Sequence, residues 1–173
     1  MEIRKAVMAD VPHIHRLVND YAQQGLMLRR PLMLLYENVR DFAVAVEDGV
    51  VVGTGALHVL WHDLAEIRSL AVDPARTGGG VGRRLVEFLL AEAEALGLRR
   101  VMALTYQVGF FEKCGFAVVP KEKLPQKVWK ECVYCDKFHA CDEIAMIRYL
   151  GAPPAPGEDG DIPLVELPLW IRG

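Results

Sequence analysis

The sequence predicts a mixed α/β domain, and three observations carry that reading. Strand-like and helix-like runs alternate along the chain. Two β-branched runs in "FAVAVEDGVVVGTGALHVL" flank Asp48-Gly49, a dipeptide suited to a tight hairpin. Finally, "LAEIRSLAVDP" alternates like a strand and runs through "DPARTGGGVGRRLV" into a helical pattern. A chain of 173 residues, 52% apolar and 25% charged, suits one soluble domain with its own core.

The elements follow in order. "EIRKAV" alternates as a first strand, and Asp10 then offers an N-cap to "VPHIHRLVNDYAQQG", with Pro12 tolerated in the first turn. Val11, Ile14, Leu17, Val18 and Tyr21 fall at helical spacing, and Gly25 stops the helix. A second, shorter helix follows Pro31, and two antiparallel strands then surround Asp48-Gly49. Beyond the glycines, Val81, Leu85, Phe88, Leu89 and Leu96 form a helix face closed by Gly97. "RRVMALTY" reads as a buried strand, "VGFFEKCGF" as one or two helical turns closed by Gly115, and "FAVVP" and "EIAMIRYL" as further strands. The expected domain is 1–150, and 151–173 a proline- and glycine-rich linker with an apolar tail.

A net charge of -3, with no block of like charges, offers no electrostatic footprint for nucleic acid or an anionic membrane. A small-molecule partner is expected instead. The start "MEIRKAV" lacks the apolar stretch of a secretory signal, and no window approaches the ~18 apolar residues of a span, so a cytoplasmic protein is expected. The tail leaves three arrangements open: docking on its own domain, exchange with a second copy in a homodimer, or a loose tether.

A strand that passes through bare backbone into a helix aims several N–H groups and the positive helix end at one point, which suits a phosphate. Two phosphate motifs fail: a P-loop needs Lys then Ser or Thr where Arg83-Arg84 stand, and the dinucleotide fingerprint needs a small residue where Leu85 stands. The stretch Thr77-Gly78-Gly79-Gly80-Val81-Gly82 instead resembles the Q/R-x-x-G-x-G/A acyl-CoA-binding turn of the GNAT acetyltransferase superfamily. "LAEIRSLAVDP" upstream and "GFFEKCGF" downstream extend the resemblance over about residues 2–119. It implies the α/β GNAT fold, a mixed, mostly antiparallel twisted sheet flanked by helices and splayed between strands 4 and 5.

It also implies roles for particular residues. The N–H groups from Gly78 to Arg83 would cradle the pyrophosphate of acetyl-CoA, and Leu70 and Val72 would bond the pantetheine arm like an added strand. Arg83 or Arg84 would reach a nucleotide phosphate or lie on a solvated helix face. Thr77 departs from the usual Arg or Gln, with Arg76 one place earlier, so backbone donors carry more of the phosphate.

Acetyl transfer to an amine needs a neutral nucleophile, a donor for the carbonyl oxygen and an exit for the thiolate. Glu66 is the candidate base, and alternation predicts it on one strand face with Arg68 and Leu70; its bland alternative is a charge paired with Arg68. A strand N–H near Leu70 or Ala71 is the expected oxyanion donor. Many relatives carry a tyrosine acid where this chain has Phe111, beside the cofactor. A thiol of pKa near ~8.5 leaves tolerably without one, and Tyr106 is either a substitute acid or a plain core or surface residue.

"QQGLMLRRP", "ENVRDFAVAVEDG", "AEIRSLAVDP" and "LPQKVWKEC" resemble, in order and spacing, the short bacterial N-acetylglutamate synthases, which acetylate the α-amine of glutamate at the start of arginine synthesis. That resemblance implies Arg30 gripping a substrate carboxylate, Ser69 at a substrate-contacting strand position and Lys127 as a second cation. The arginine and serine that longer synthases use near the last strand have no matching pair around Asp142 and Glu143. Glutamate is the preferred acceptor, with glutamine or another small amine as runner-up. A CoA-binding sensor module without chemistry is the reading from a different class.

Cys132, Cys135, His139 and Cys141 form C-x-x-C-x-x-x-H-x-C, which suits a tetrahedral zinc, free reduced thiols or a redox-sensitive disulfide. Cys114 reads as a buried small apolar residue. His13 and His15 cannot share a helix face, His58 and His62 are expected to flank a turn, and none of the four is assigned chemistry.

Overall fold

A computed structural model describes residues 1–121 and 142–152. In chain order these form β1 (Glu2–Lys5), α1 (Val11–Gln23), α2 (Leu32–Glu37), β2 (Phe42–Glu47), β3 (Val50–Trp61), β4 (Leu64–Val72), α3 (Val81–Ala95), β5 (Arg100–Thr105), α4 (Val108–Lys113), β6 (Ala117–Val118) and β7 (Ile144–Tyr149). The described strands make one sheet in the order β1-β2-β3-β4-β5-β7-β6. Every neighbouring pair is antiparallel except β4–β5, which is parallel with α3 as its crossover. This is the expected mixed, mostly antiparallel α/β fold.

Local chemistry explains most of the elements. Asp48 (φ 50°) and Gly49 (φ 79°) are both left-handed, the conformation a two-residue hairpin needs to match strand twist. α3 ends in a Schellman pattern: Gly97 N–H bonds Glu94 O and Leu98 N–H bonds Ala93 O, both at 3.0 Å. The chain reversal at Gly97 gives the buried position to Leu98, so Leu96, expected on the helix's apolar face, is 61% exposed.

The helices cover opposite faces of the sheet. Val81, Leu85, Val86, Leu89, Leu90 and Ala93 of α3 pack on Leu57, Ala65, Ile67 and Val101. α3 approaches β3 closely because Gly53 and Gly55 face it: a Cβ on either would come within 3.0 Å of the Val81 or Leu70 side chain. On the other face, Val11, Ile14, Leu17 and Val18 of α1 pack with Leu35 of α2 against Phe42, Val44, Ala56 and Ala71.

β4 contains the irregularity that matters most. Ala56 pairs with Arg68, but Thr54 pairs with Ala71, so β4 carries one extra residue where β3 advances two. Ser69 at φ 54° absorbs it. Alternation therefore changes phase at the bulge. Ala65 and Ile67 face α3, which sends Glu66 and Arg68 to the α1 side, whereas beyond Ser69 it is Leu70 and Val72 that pack toward α3 and Ala71 toward α1. Leu70 thus leaves the face of Glu66 and Arg68, contrary to uninterrupted alternation.

Asp10 holds the N-cap position of α1, yet its carboxylate makes no bond to that helix. It turns back to accept the Val7 N–H at 2.8 Å and both guanidinium nitrogens of Arg4 at 2.7 and 3.0 Å, tying β1 to α1. The Arg4 hydrogen bonds hold the Asp10 carboxyl below its ordinary value. A lowered folded pKa stabilises the fold at pH above the unfolded value of about 3.9, and the gain is lost as pH falls through the folded pKa. Asp10→Ala should cost on the order of 2 kcal/mol at pH 7, because the Asp10 side chain is nearly buried and its bonds to Arg4 are charge-assisted. In urea unfolding, the gap to the parent chain should narrow below about pH 4.

Candidate active site

The glycine turn is built before α3 begins. Asp73 accepts the Ala75 N–H at 2.9 Å, and Thr77 donates its hydroxyl to Pro74 O at 2.9 Å. Gly78 (φ 80°) and Gly80 (φ 81°) then take left-handed conformations that a side chain would disfavour. Gly80 is the N-cap of α3, and Arg84 N–H to Gly80 O at 3.0 Å is the first bond of its ladder. The N–H groups of Val81, Gly82 and Arg83 precede that ladder and add to the positive helix end, a geometry that fits a pyrophosphate. Gly79 lies against the Arg76 carbonyl, where a Cβ would approach to 3.5 Å.

Side chains around the turn differ in part from expectation. Phe111 is 5% exposed, locked edge-on between Phe110 and Phe116 in the core. The ring against the turn is Phe110, which a Cβ on Gly82 would meet at 3.3 Å. Arg83 pairs with Glu87 at 3.0 Å on the exposed face of α3, and Arg76 pairs with Glu47 at 2.6 Å. Tyr21 donates its hydroxyl to the Val72 carbonyl at 2.6 Å, a link from α1 to the end of β4 that helical spacing alone reported only as core.

β4 and β5 share three paired positions, Leu64 with Arg100, Ala65 with Val101 and Glu66 with Met102. From Ile67 onward β4 pairs only with β3, so its β5-facing edge leaves the ladder on the way to the glycines, and at its end the Val72 carbonyl is taken by the Tyr21 hydroxyl. An extended amide-bearing arm fits that edge by strand addition. Glu66 stands at the fork itself, 3% exposed, with an Arg68 guanidinium nitrogen 3.7 Å from its carboxylate.

His58 is another residue whose place differs from the sequence expectation. It lies within β3 rather than at a turn, directly opposite Glu66, and its Nδ1 is 2.7 Å from an Asp41 carboxylate oxygen. Nothing in the local sequence announces this, because Asp41 and His58 meet through strand register. His62 does sit at the turn, its ring 5.9 Å from that of Trp61.

Arg30 is half-buried at the entry to α2, and the Asn19 carboxamide binds both its main-chain N–H and its carbonyl at 3.1 Å. Ser69 is the bulge residue. Tyr106 donates its hydroxyl to Asp142 at 2.7 Å. Lys127, Cys132, Cys135, His139 and Cys141 lie outside the described residues, as does most of 151–173. Among the described residues no cluster of His, Cys, Asp or Glu is arranged to hold a metal, and no described helix is long and apolar enough to cross a membrane. A cavity of about 690 Å³ opens on the α3 side, lined by Arg83, Glu87, Lys113, Cys114 and Arg148 among others; it includes neither Glu66 nor residues 77–82.

The family model for the acetyltransferase (GNAT) family matches residues 11–116. The chain belongs to that family. It is an acetyl-CoA-dependent acyltransferase, and the strand fork and glycine turn are the parts of its sheet that suit acetyl-CoA. The chain is similar to an uncharacterized N-acetyltransferase of Chlorobaculum tepidum, 43% identical over 86% of this chain and 96% of that protein. It is 46% identical to the amino-acid acetyltransferase of Mycobacterium tuberculosis over 75% of each chain. Among solved structures it resembles N-acetylglutamate synthase from Neisseria gonorrhoeae complexed with coenzyme A and N-acetyl-glutamate, with a TM-score of 0.79 and 29% identity. That match covers 87% of this chain and 35% of the longer one.

For a GNAT member with this turn, Gly80→Val should weaken CoA binding by about tenfold or more, since a β-branched residue at this φ costs roughly 1–3 kcal/mol and re-aims the N–H groups. No atom lies within 4 Å of a Cβ at Gly80, so the loss comes from backbone conformation rather than collision. Calorimetric titration with CoA, beside a melting curve, checks it.

Proposed function

We propose that this chain transfers acetyl from acetyl-CoA to the α-amino group of glutamate, with Glu66 as the base. The observation behind this reading is the position of Glu66: a buried carboxylate at the fork where β4 leaves β5, upstream on the same strand from the open edge and the glycine turn. When bound, acetyl-CoA supplies the thioester carbonyl that the amine attacks and the thiolate that leaves. Glu66 takes the ammonium proton, directly or through water, with an Arg68 guanidinium nitrogen 3.7 Å from its carboxylate. A β4 N–H at Leu70 or Ala71 donates to the carbonyl oxygen, and the N–H groups of the turn hold the pyrophosphate. Thiolate departure needs no tyrosine at position 111, where the core-packed phenyl ring has no proton to give.

Arg30 is the proposed clamp for a substrate carboxylate. α1 and α2 cover the sheet face to which Glu66 and Arg68 point, and Arg30 joins those two helices with its main chain fixed by Asn19. The M. tuberculosis relative named for amino acids supports an amino-acid acceptor, and the N. gonorrhoeae N-acetylglutamate synthase solved with N-acetyl-glutamate supports glutamate as that acceptor. Ser69 and Lys127 complete the proposed acceptor contacts.

The test measures CoA release with glutamate, glutamine, aspartate and simple amines at equal concentration. Glutamate should be preferred, and Arg30→Ala should raise its KM by about 10- to 100-fold, the worth of a charge-assisted pair. Glu66→Gln should lower kcat by about 10²-fold or more with CoA binding unchanged. Preference for another amine overturns the glutamate assignment. A silent Glu66→Gln overturns the base.

A further inference from the structure

The overall reaction leaves a proton to dispose of. An ammonium and a thioester become an amide and a thiol: the C–S bond breaks, a C–N bond forms, and the ammonium nitrogen loses two protons. One ends on sulfur. The other must reach solvent in every turnover, yet Glu66, the proposed base, is 3% exposed.

We infer that His58, held by Asp41, is the exit for that proton, acting through Glu66 as a relay and positioning residue; this rests on the Glu66 reading above. His58 and Glu66 are direct partners across β3 and β4, where opposed Cβ atoms lie about 4.5–5.5 Å apart, so a carboxylate and an imidazole on one face come within reach. Both point to the α1 side, because Leu57, beside His58, and Ala65 and Ile67, beside Glu66, face α3.

Asp41 sets the tautomer. Its ionised carboxylate only accepts, so the 2.7 Å contact puts a proton on Nδ1 and the lone pair of neutral His58 on Nε2. Side-chain exposure rises along the series from 3% at Glu66 through 20% at His58 to 28% at Asp41, which runs from the buried fork to the surface. Arg68 is a further charge beside Glu66, and Val11, Ile14, Leu17 and Val18 of α1 form the apolar packing on this sheet face. The proton passes from the Glu66 carboxyl to His58 Nε2. The imidazolium, still bonded to Asp41 through Nδ1–H, then releases the Nε2 proton to water and returns to the neutral tautomer. Nothing is oxidised or reduced, and Glu66 is restored as carboxylate.

The experiment compares His58→Gln, His58→Ala, Asp41→Asn and Glu66→Gln in the full chain, each checked for melting temperature and CoA affinity. Glutamine at 58 keeps a donor for Asp41 but cannot carry a proton. With CoA affinity near that of the parent, kcat for His58→Gln should fall about 10²-fold and the shape of its pH profile should change. Imidazole in the buffer should restore part of the His58→Ala rate in proportion to its concentration and do nothing for Glu66→Gln. Asp41→Asn should lose about tenfold. If Glu66→Gln is inactive while His58→Gln keeps the parent rate and pH profile, the relay is overturned and the base stands. A slow His58→Gln with an unchanged profile, and a His58→Ala indifferent to imidazole, reduce His58 to a structural residue and also overturn the relay. A silent Glu66→Gln removes the base and the relay together.

Discussion

β4 pairs with β5 through Leu64, Ala65 and Glu66, and from Ile67 onward its β5-facing N–H and C=O groups leave the ladder while β3 still holds the other edge. Unpaired strand edge inside a sheet is costly unless something else satisfies it. The Tyr21 hydroxyl does so for the Val72 carbonyl, an extended, amide-bearing ligand arm can do so upstream of it, and the fork exists on the way to a turn that fits a phosphate. The Ser69 bulge belongs to the same device. By adding one residue it lets Glu66 and Arg68 face α1 while Leu70 and Val72, a few residues later, close the opposite core.

The two faces of the sheet consequently take different tasks. α3 lies tight on β3 over Gly53 and Gly55, which fixes the helix end that carries the N–H groups. α1 and α2 cover the other face, where the ionisable side chains of β3 and β4 gather. Tyr21, bonded to the Val72 carbonyl, ties α1 to the end of β4, so α1 and the glycine turn are referenced to one strand. The glycine turn at 77–82 and the proposed base Glu66 are thus set apart along the chain, yet both are referenced to β4.

Much of this was legible where the determinants are local. Asp48-Gly49 announces its hairpin because both residues tolerate positive φ, and the run from Thr77 to Gly82 announces a ligand turn because repeated glycines before a helix have few other uses. Glu66 was legible as a candidate only because the strand entering that turn was recognisable. The misplacements also have definite causes. Leu96 follows the helical period but falls past a Schellman stop, and Leu70 follows strand alternation but falls past a bulge. Asp10 holds the expected capping position, but Arg4 and Val7 compete for its carboxylate.

By itself, the sequence determined the α/β class, the order of its elements, the glycine turn and the acetyltransferase resemblance, since each depends on residues within a dozen or so positions of one another. Tertiary structure alone decided that β4 parts from β5 at Glu66, that the strand changes phase at Ser69, that Phe110 rather than Phe111 meets the turn, and that His58 joins Asp41 opposite Glu66. Those facts depend on strand register and helix docking. One residue of slip would reverse each facing, and no short stretch of sequence encodes the choice.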